Sequence, residues 1–335
     1  MIIVSDCLTD KADEGTIKIA SKLARLLKDK GAKIFQLKGH FSFSDRNYNV
    51  NKVGISYKLI NDIKKEHQDV LYIPNASMTK GICVKVFLLH FFTGRKIFLL
   101  PVYRREISCF MRILLEMSKT ELVVLSQESY DVYRKCLSNK VHYIKAGVDI
   151  DKFSPITKNH KAVLRDKYGF DRNEKLLLHV GHMVEARNLR AFLNVSDDYH
   201  VVLVVSTSTR WDEKLYADLL HKNNITIVHE YIANIEEYYQ MADAYVFLVE
   251  NIGCVDVPLS VLEAASCNIP VVSTKYGELN TFRENKSFVF VDDFNEINTH
   301  VKNAISNDEV NNRAMVLEYD WKKSVDSIKK IFKEV

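Results

Sequence analysis

This sequence lacks the marks that assign a chain to a class at sight. Its six cysteines (7, 83, 109, 136, 254 and 267) contain no CxxC pair and no metal-ligand spacing. That excludes a cysteine-based metal site and leaves reduced thiols of a cytosolic protein as the reading. No GxGxxG fingerprint follows a strand pattern, so a dinucleotide is disfavoured and no cofactor is expected. No apolar run reaches the length of about 20 residues that a spanning helix needs. The most apolar stretch, ICVKVFLLHFFTG at 82–94, is too short and is interrupted by Lys85 and His90. The opening MIIVSD reads as a strand from the first residue, which leaves no room for a signal peptide and predicts a cytoplasmic location. Neither an internal repeat nor a low-complexity segment occurs. Charge is diffuse, with 47 Lys and Arg against 43 Asp and Glu and a net charge of +4. With aromatics poorly interleaved among the bases, a nucleic-acid partner is not expected.

What is present is ordinary in composition and regular in pattern. At 335 residues, 47% hydrophobic and 27% charged, the chain is a soluble globular protein longer than one core usually supports, so two domains are expected. Continuous apolar, β-branched runs at 2–5, 33–37, 69–74, 96–101, 121–126 and 141–146 read as strands covered on both faces. The second half repeats the alternation at 176–181, 200–206, 225–230, 244–250, 270–274 and 288–293. Helical patterns fit between them, the clearest from Thr16, with Ile17, Ala20, Ala24 and Leu27 on one face and Gly31 as stop signal. Others are predicted at 211–222 and 234–242. Alternating strand and helix implies two parallel sheets with right-handed crossovers, with the joint in GVDIDKFSPITKNHK at 147–161. In such sheets ligands bind beyond the carboxyl ends of the strands.

The run at 82–94 fits a buried helix of an α/β layer better than one dipping into a membrane interface. The flanking Lys80, Arg95, Lys96, Arg104 and Arg105 keep the second reading open.

Three loops after strands carry charge that a fold alone does not require. In VDVPLSVLEAASCNIPVVST, Pro258 suits a first helical position. The backbone N–H groups from Leu259 and Ser260 onward would then face an anion. Glu263, about one and a half turns in, could accept hydrogen bonds from vicinal hydroxyls; a glutamate merely favoured by the helix dipole is equally compatible. In LLLHVGHMVEARNLRAF a strand ends at Gly181 and a helix is expected near Asn188. Arg187 at a helix start would oppose the dipole, so a local anion gives it a reason. YGELN at 276–280 offers Gly277 and Glu278 after a further strand.

VDVPLSVLEAASCNIPVVST resembles the signature of the retaining family-4 glycosyltransferases, which have the GT-B fold. Glu263, Ala264, Pro270, Val271, Val272, Ser273 and Thr274 carry the match. GVDIDKFSP resembles that family's interdomain crossing through Gly147, Val148, Asp149, Phe153 and Pro155, with Gly147 expected to allow a tight turn. The resemblance covers roughly 141–335. It implies two doubly wound Rossmann-like domains facing across a cleft, at 1–154 (acceptor side) and 155–316 (nucleotide-sugar side), and a final crossing helix at 317–335. That helix pattern has Trp321, Val325, Ile328 and Ile331 on one face.

By the same resemblance Glu263 holds the donor ribose, and His182 and Arg187 take the places of the family's two diphosphate-gripping bases. Asn188, Pro258, Leu259, Ser260 and Gly277 line the donor, and Tyr231 and Ile232 sit near its base. The family's first Glu has no counterpart: Val255 occupies its place, and Asp256 follows one residue, or about 3.8 Å, later. Asp256 is expected to contact the sugar, with Glu250 as fallback, so Asp256 and Arg187 are the catalytic candidates. Where relatives often carry a His, this chain has Tyr103 and Arg104, and Tyr72 and Asn75. The implied activity is metal-independent, retaining transfer from a nucleoside diphosphate sugar to a glycan, lipid-linked or small-molecule acceptor. Peripheral contact with a membrane's inner face is kept as a second kind of partner. The displaced acid motivates the alternative, a nucleotide-sugar-binding protein or pseudo-enzyme subunit without turnover.

Overall fold

The computed structural model describes residues 1–12, 14–50, 54–75, 77–207, 211–249 and 256–334. The chain divides into two compact units, one of Met1–Gly147, Gly253–Val257 and Trp321–Val335, the other of Val148–Ile252 and Pro258–Asp320.

The first unit begins β1 (Ile2–Ser5), α1 (Gly15–Lys28), β2 (Lys33–Gln36), β3 (Arg46–Asn47), α2 (Tyr57–Glu66) and β4 (Val70–Ile73). It continues α3 (Lys80–Thr93), β5 (Ile97–Leu99), α4 (Cys109–Met117), β6 (Glu121–Val124), α5 (Gln127–Cys136) and β7 (Val141–Tyr143). These strands form one parallel sheet in the order β3-β2-β1-β4-β5-β6-β7. β1 and β4 are buried at every position, as their unbroken apolar runs require. Helices α2 to α5 each open on a hydroxyl residue, Ser56, Thr79, Ser108 and Ser126, whose side chain accepts from a backbone N–H three residues on. That capping also explains a boundary: the apolar pattern runs to 126, but pairing ends at Val124 because Ser126 leaves the ladder to cap α5. The two-residue, exposed β3 has no apolar pattern to betray it.

The second unit holds α6 (Lys158–Tyr168), β8 (Lys175–Gly181), β9 (Tyr199–Val205), α7 (Glu213–Leu220), β10 (Ile225–Val228), α8 (Ile235–Met241), β11 (Ala244–Phe247), α9 (Leu259–Ser266), β12 (Val271–Ser273), β13 (Phe288–Phe290), α10 (Ile297–Ile305) and α11 (Asn312–Val316). Its parallel sheet runs β10-β9-β8-β11-β12-β13. Strand order reverses between β8 and β11, so a crevice opens at their carboxyl ends. Arg313 of α11 secures the unit's first segment to α9. Its guanidinium donates to the carbonyls of Phe153 (3.0 Å), Ser266 (2.7 Å) and Ile150 (3.0 Å).

The last helix, α12 (Trp321–Lys333), returns to the first unit with Trp321, Val325, Ile328 and Ile331 buried, the face its periodicity predicts. It packs beside α1, and its Phe332 ring lies 4.2 Å from that of Phe98 on β5. Helices α2 to α5 cover the opposite face. Gly147 serves this packing rather than the expected tight turn. Its φ is not in the left-handed region, but a Cβ there would lie 2.2 Å from Cδ2 of Trp321.

Candidate functional site

The carboxyl edge of the second unit's sheet collects most of the residues singled out above. β8 ends at Gly181, and the loop behind it carries His182, Arg187 and Asn188. The helix expected near Asn188 is not an α-helix. Two short 3-10 turns, Glu185–Arg187 and Leu189–Asn194, flank Asn188, whose φ of +51° interrupts a regular ladder. A base opposing a helix dipole therefore no longer accounts for Arg187.

A different feature does. Glu185, two residues before Arg187, pairs with Arg190 at 2.8 Å, and no described carboxylate pairs with Arg187. Half-buried, its guanidinium lies 5.9 Å from the centre of the Phe247 ring at the end of β11. The Asn188 side chain donates to the carbonyl of Leu248 at 2.9 Å. Asn188 thus ties the loop after β8 to the loop after β11 and fixes Arg187 over the crevice.

Beyond β11, Glu250 and Val255 lie outside the described residues. Pro258 stands at the cap of α9, one position before the first helical residue where the sequence places it. Its backbone is extended (φ −71°, ψ 108°) and its carbonyl accepts from the N–H groups of Val261 (3.1 Å) and Leu262 (3.3 Å). Leu259 and Ser260 are left without an intrahelical acceptor, as at any helix start. Glu263 is buried at 7% exposure, and its carboxylate accepts from the Tyr239 hydroxyl at 2.8 Å. Burial, then the Glu263 charge, raises the Tyr239 phenol well above its ordinary range, so it stays a donor. Ser260 hydrogen-bonds Tyr245, whose hydroxyl also donates to the Val180 carbonyl at 3.2 Å. Tyr245 thus links α9 to the strand that precedes the Arg187 loop, and Tyr239 links α9 to α8.

Gly277 opens a 3-10 turn after β12 with φ +45°. The acid beside it, Glu278, is turned inward and accepts from Tyr319 at 3.3 Å. Tyr231 is exposed and Ile232 half-buried in the segment between β10 and α8.

Asp256 belongs to the first unit. One carboxylate oxygen accepts from the Arg104 backbone N–H at 3.0 Å, the other from the hydroxyls of Ser126 (3.0 Å) and Ser129. Ser126 is the cap of α5, so this carboxylate rests at a helix start. Arg104 itself pairs with Glu128. Tyr72 cannot meet an acceptor, because it is fully buried within β4. The Asn75 N–H donates to Asp6 at 2.9 Å.

Sequence reasoning passed over His179, two residues before Gly181 on β8. It is fully buried, with Nδ1 2.9 Å from the Val246 carbonyl and its ring stacked near Tyr245 and Phe247. Burial, aided by the nearby Arg187 and His182, pushes its pKa down to about 4, so it is neutral at pH 7. Gly181 lies on the same strand face. A Cβ there would come within 2.9 Å of His179 Nε2, which explains a glycine where the phosphate-loop candidate begins. The alternation LLLHVG held this pairing, but a histidine inside an apolar run carries no sign of its partner.

Residues 160–331, just over half of the chain, match the sequence model of the family described as Glycosyl transferases group 1. Among solved structures, a glycosyltransferase from Rickettsia africae is 16% identical, with a TM-score of 0.77 over 99% of this chain and 98% of that one. HepE of Anabaena, solved with UDP-glucose, is 15% identical with a TM-score of 0.76, both chains being covered in full. WaaG, a glycosyltransferase involved in lipopolysaccharide biosynthesis, is 12% identical with a TM-score of 0.68 over 99% of each chain. These likenesses establish the GT-B fold. No curated protein sequence matches.

Proposed function

Because this chain belongs to the glycosyl transferases group 1 family, we propose that it moves a sugar, with retention of configuration and without a metal ion, from a nucleoside diphosphate donor to a glycan, lipid-linked or small-molecule acceptor. The observation that carries the reading is Arg187. It is held over the β8/β11 crevice by the Asn188–Leu248 bond and paired with no described carboxylate. The UDP and UDP-glucose in the Anabaena HepE structures support the donor class.

The bond from the anomeric carbon to the diphosphate oxygen breaks, and the acceptor hydroxyl bonds that carbon on the same face. The hydroxyl proton passes to the leaving phosphate. Charge building on that phosphate is the main electrostatic demand. Arg187, His182 and the N–H groups of Leu259 and Ser260 meet it, and Glu263 takes the ribose hydroxyls. A nucleoside diphosphate at a hundredfold excess over its Kd should stabilise the protein by about 2.7 kcal/mol. Arg187→Ala should abolish that thermal shift across a panel of nucleoside diphosphates; unchanged shifts in the variant would refute this placement of the diphosphate.

We assign Asp256 the contact to a sugar hydroxyl. Its carboxylate accepts three hydrogen bonds of about four it can take, so one lone pair is left. The same three bonds favour the second reading, a nucleotide-sugar-binding protein in which Asp256 is only an anchor. Donor hydrolysis and transfer separate the two. On the first reading Asp256→Ala lowers turnover by about a hundredfold or more and leaves the nucleotide-induced shift in place. Nucleotide binding by a wild type that turns over no donor selects the second.

A further inference from the structure

We propose that the outer face of α3 and α4 docks on an anionic lipid surface, an inference that does not depend on the sugar-transfer chemistry. α3 is apolar on two sides. Its inward residues Ile82, Cys83, Val86 and Leu89 belong to the core of the first unit. Its outward stripe, Val84, Phe87 and Phe91, has the i, i+3, i+7 spacing of a second apolar face. A helix apolar all round belongs inside a protein or against a membrane, yet Phe91 is 69% exposed and its neighbour Phe92 44%. The Phe91 ring lies 6.2 Å from that of Phe87 and 5.4 Å from that of Phe92, so the three form one aromatic cluster.

α4 packs against α3 and repeats the arrangement. Met111 and Leu115 face the core, while Phe110, Ile113 and Met117, again spaced for one face, are 51%, 54% and 62% exposed. Of the twelve exposed large apolar residues among those described, five fall on these two adjacent helices. Scattered singly they would need no explanation; gathered on one face they mark a contact surface.

Charge selects the occupant. Residues 54–119 hold eleven Lys and Arg against five Asp and Glu, an excess greater than the +4 of the entire chain. Lys58, Lys64 and Lys65 on α2, Lys80 at the start of α3 and Lys119 after α4 are exposed. The acids are largely engaged: Asp62 with Arg46, Glu66 with Lys33 and Glu116 with Arg112. A second copy of the chain would bring like charge to this face. Anionic headgroups complement the basic rim, and the aromatic and aliphatic stripe reaches the acyl boundary. No helix among the described residues is long and apolar enough to cross a bilayer, so the contact lies on the surface.

The test is cosedimentation of the full chain with vesicles of phosphatidylcholine alone and of phosphatidylcholine mixed with phosphatidylglycerol, at low salt. The wild type should pellet with the mixed vesicles and stay largely in solution with the neutral ones. Phe91→Asp with Ile113→Asp should lower the bound fraction about tenfold, with the far-UV circular dichroism and the nucleotide-induced thermal shift unchanged. Lys64→Glu with Lys65→Glu, which leaves the apolar stripe intact, should weaken binding to the mixed vesicles. The proposal is overturned if the wild type ignores both vesicle types or if either double variant binds like the wild type. It is equally overturned if light scattering shows a wild-type dimer that the Phe91 and Ile113 changes dissolve. Vesicle binding and nucleotide-induced stabilisation are read separately, so one reading can fail while the other stands.

Discussion

His179 is a residue whose surroundings oppose its ordinary chemistry. A fully buried imidazole with its pKa depressed to about 4, against about 6.5 in an unfolded chain, couples folding to pH. The folded state binds fewer protons than the unfolded state between those values. Its contribution to stability is therefore complete above pH 6.5 and lost as pH falls towards 4. The difference is on the order of 3 kcal/mol. Denaturant unfolding at pH 7 and pH 4.5 should show a smaller acid loss in His179→Asn than in the wild type. Equal losses in the two proteins would mean that the folded imidazole takes up its proton as readily as the unfolded one. Arg187 is the complementary case: a charge kept half-buried with no described acid to balance it. Its basic type and its place after a strand were readable in LLLHVGHMVEARN. The left-handed Asn188 that aims it was not, because a single asparagine does not announce its φ.

Helices and strands repeat this division between pattern and partner. Strand centres were legible because a sheet covered on both faces demands unbroken apolar runs. Strand ends were less so, as at Val124, where the next hydroxyl residue is claimed by a helix cap. α12 is the helix whose role was read most completely, its Trp321, Val325, Ile328 and Ile331 stripe being the buried one. Those four side chains bury apolar surface worth roughly 6–12 kcal/mol, comparable with the whole stability of a domain at about 5–15 kcal/mol. Ending the chain after Asp320 should therefore abolish the cooperative unfolding of the first unit and expose residues 1–147 to proteolysis. A truncated chain that resists protease as well as the full one would show that α12 is dispensable. α3 is the opposite lesson. Its sequence allowed both a buried and an interfacial helix; the structure buries one side in the core and leaves Phe91 and Phe92 exposed.

At the scale of the molecule, the sequence resemblance reached only 141–335, whereas structural likeness to the Rickettsia glycosyltransferase extends over 99% of the chain. The first unit keeps its sheet order without the family's motifs. A parallel sheet needs only apolar strands and amphipathic helices in sequence, and many residue choices satisfy that. Binding a nucleoside diphosphate, as proposed for the second unit, is more exacting, and the sequence resemblance there rests on Glu263, with His182 and Arg187 in place of the family's two bases.

The alternation of apolar runs and helical faces, together with the Glu263 segment, was enough to specify two parallel α/β sheets and the family. Periodicity and the order of charged loops are properties of the chain itself. Tertiary structure alone decided that Asp256 spends three hydrogen bonds on Arg104, Ser126 and Ser129, that Trp321 is why residue 147 is glycine, and that Phe91 and Phe92 of α3 stay exposed. Each depends on what lies beside a residue after folding, across 127 to 174 positions of chain in the first two cases. Local patterning carries no information over that distance.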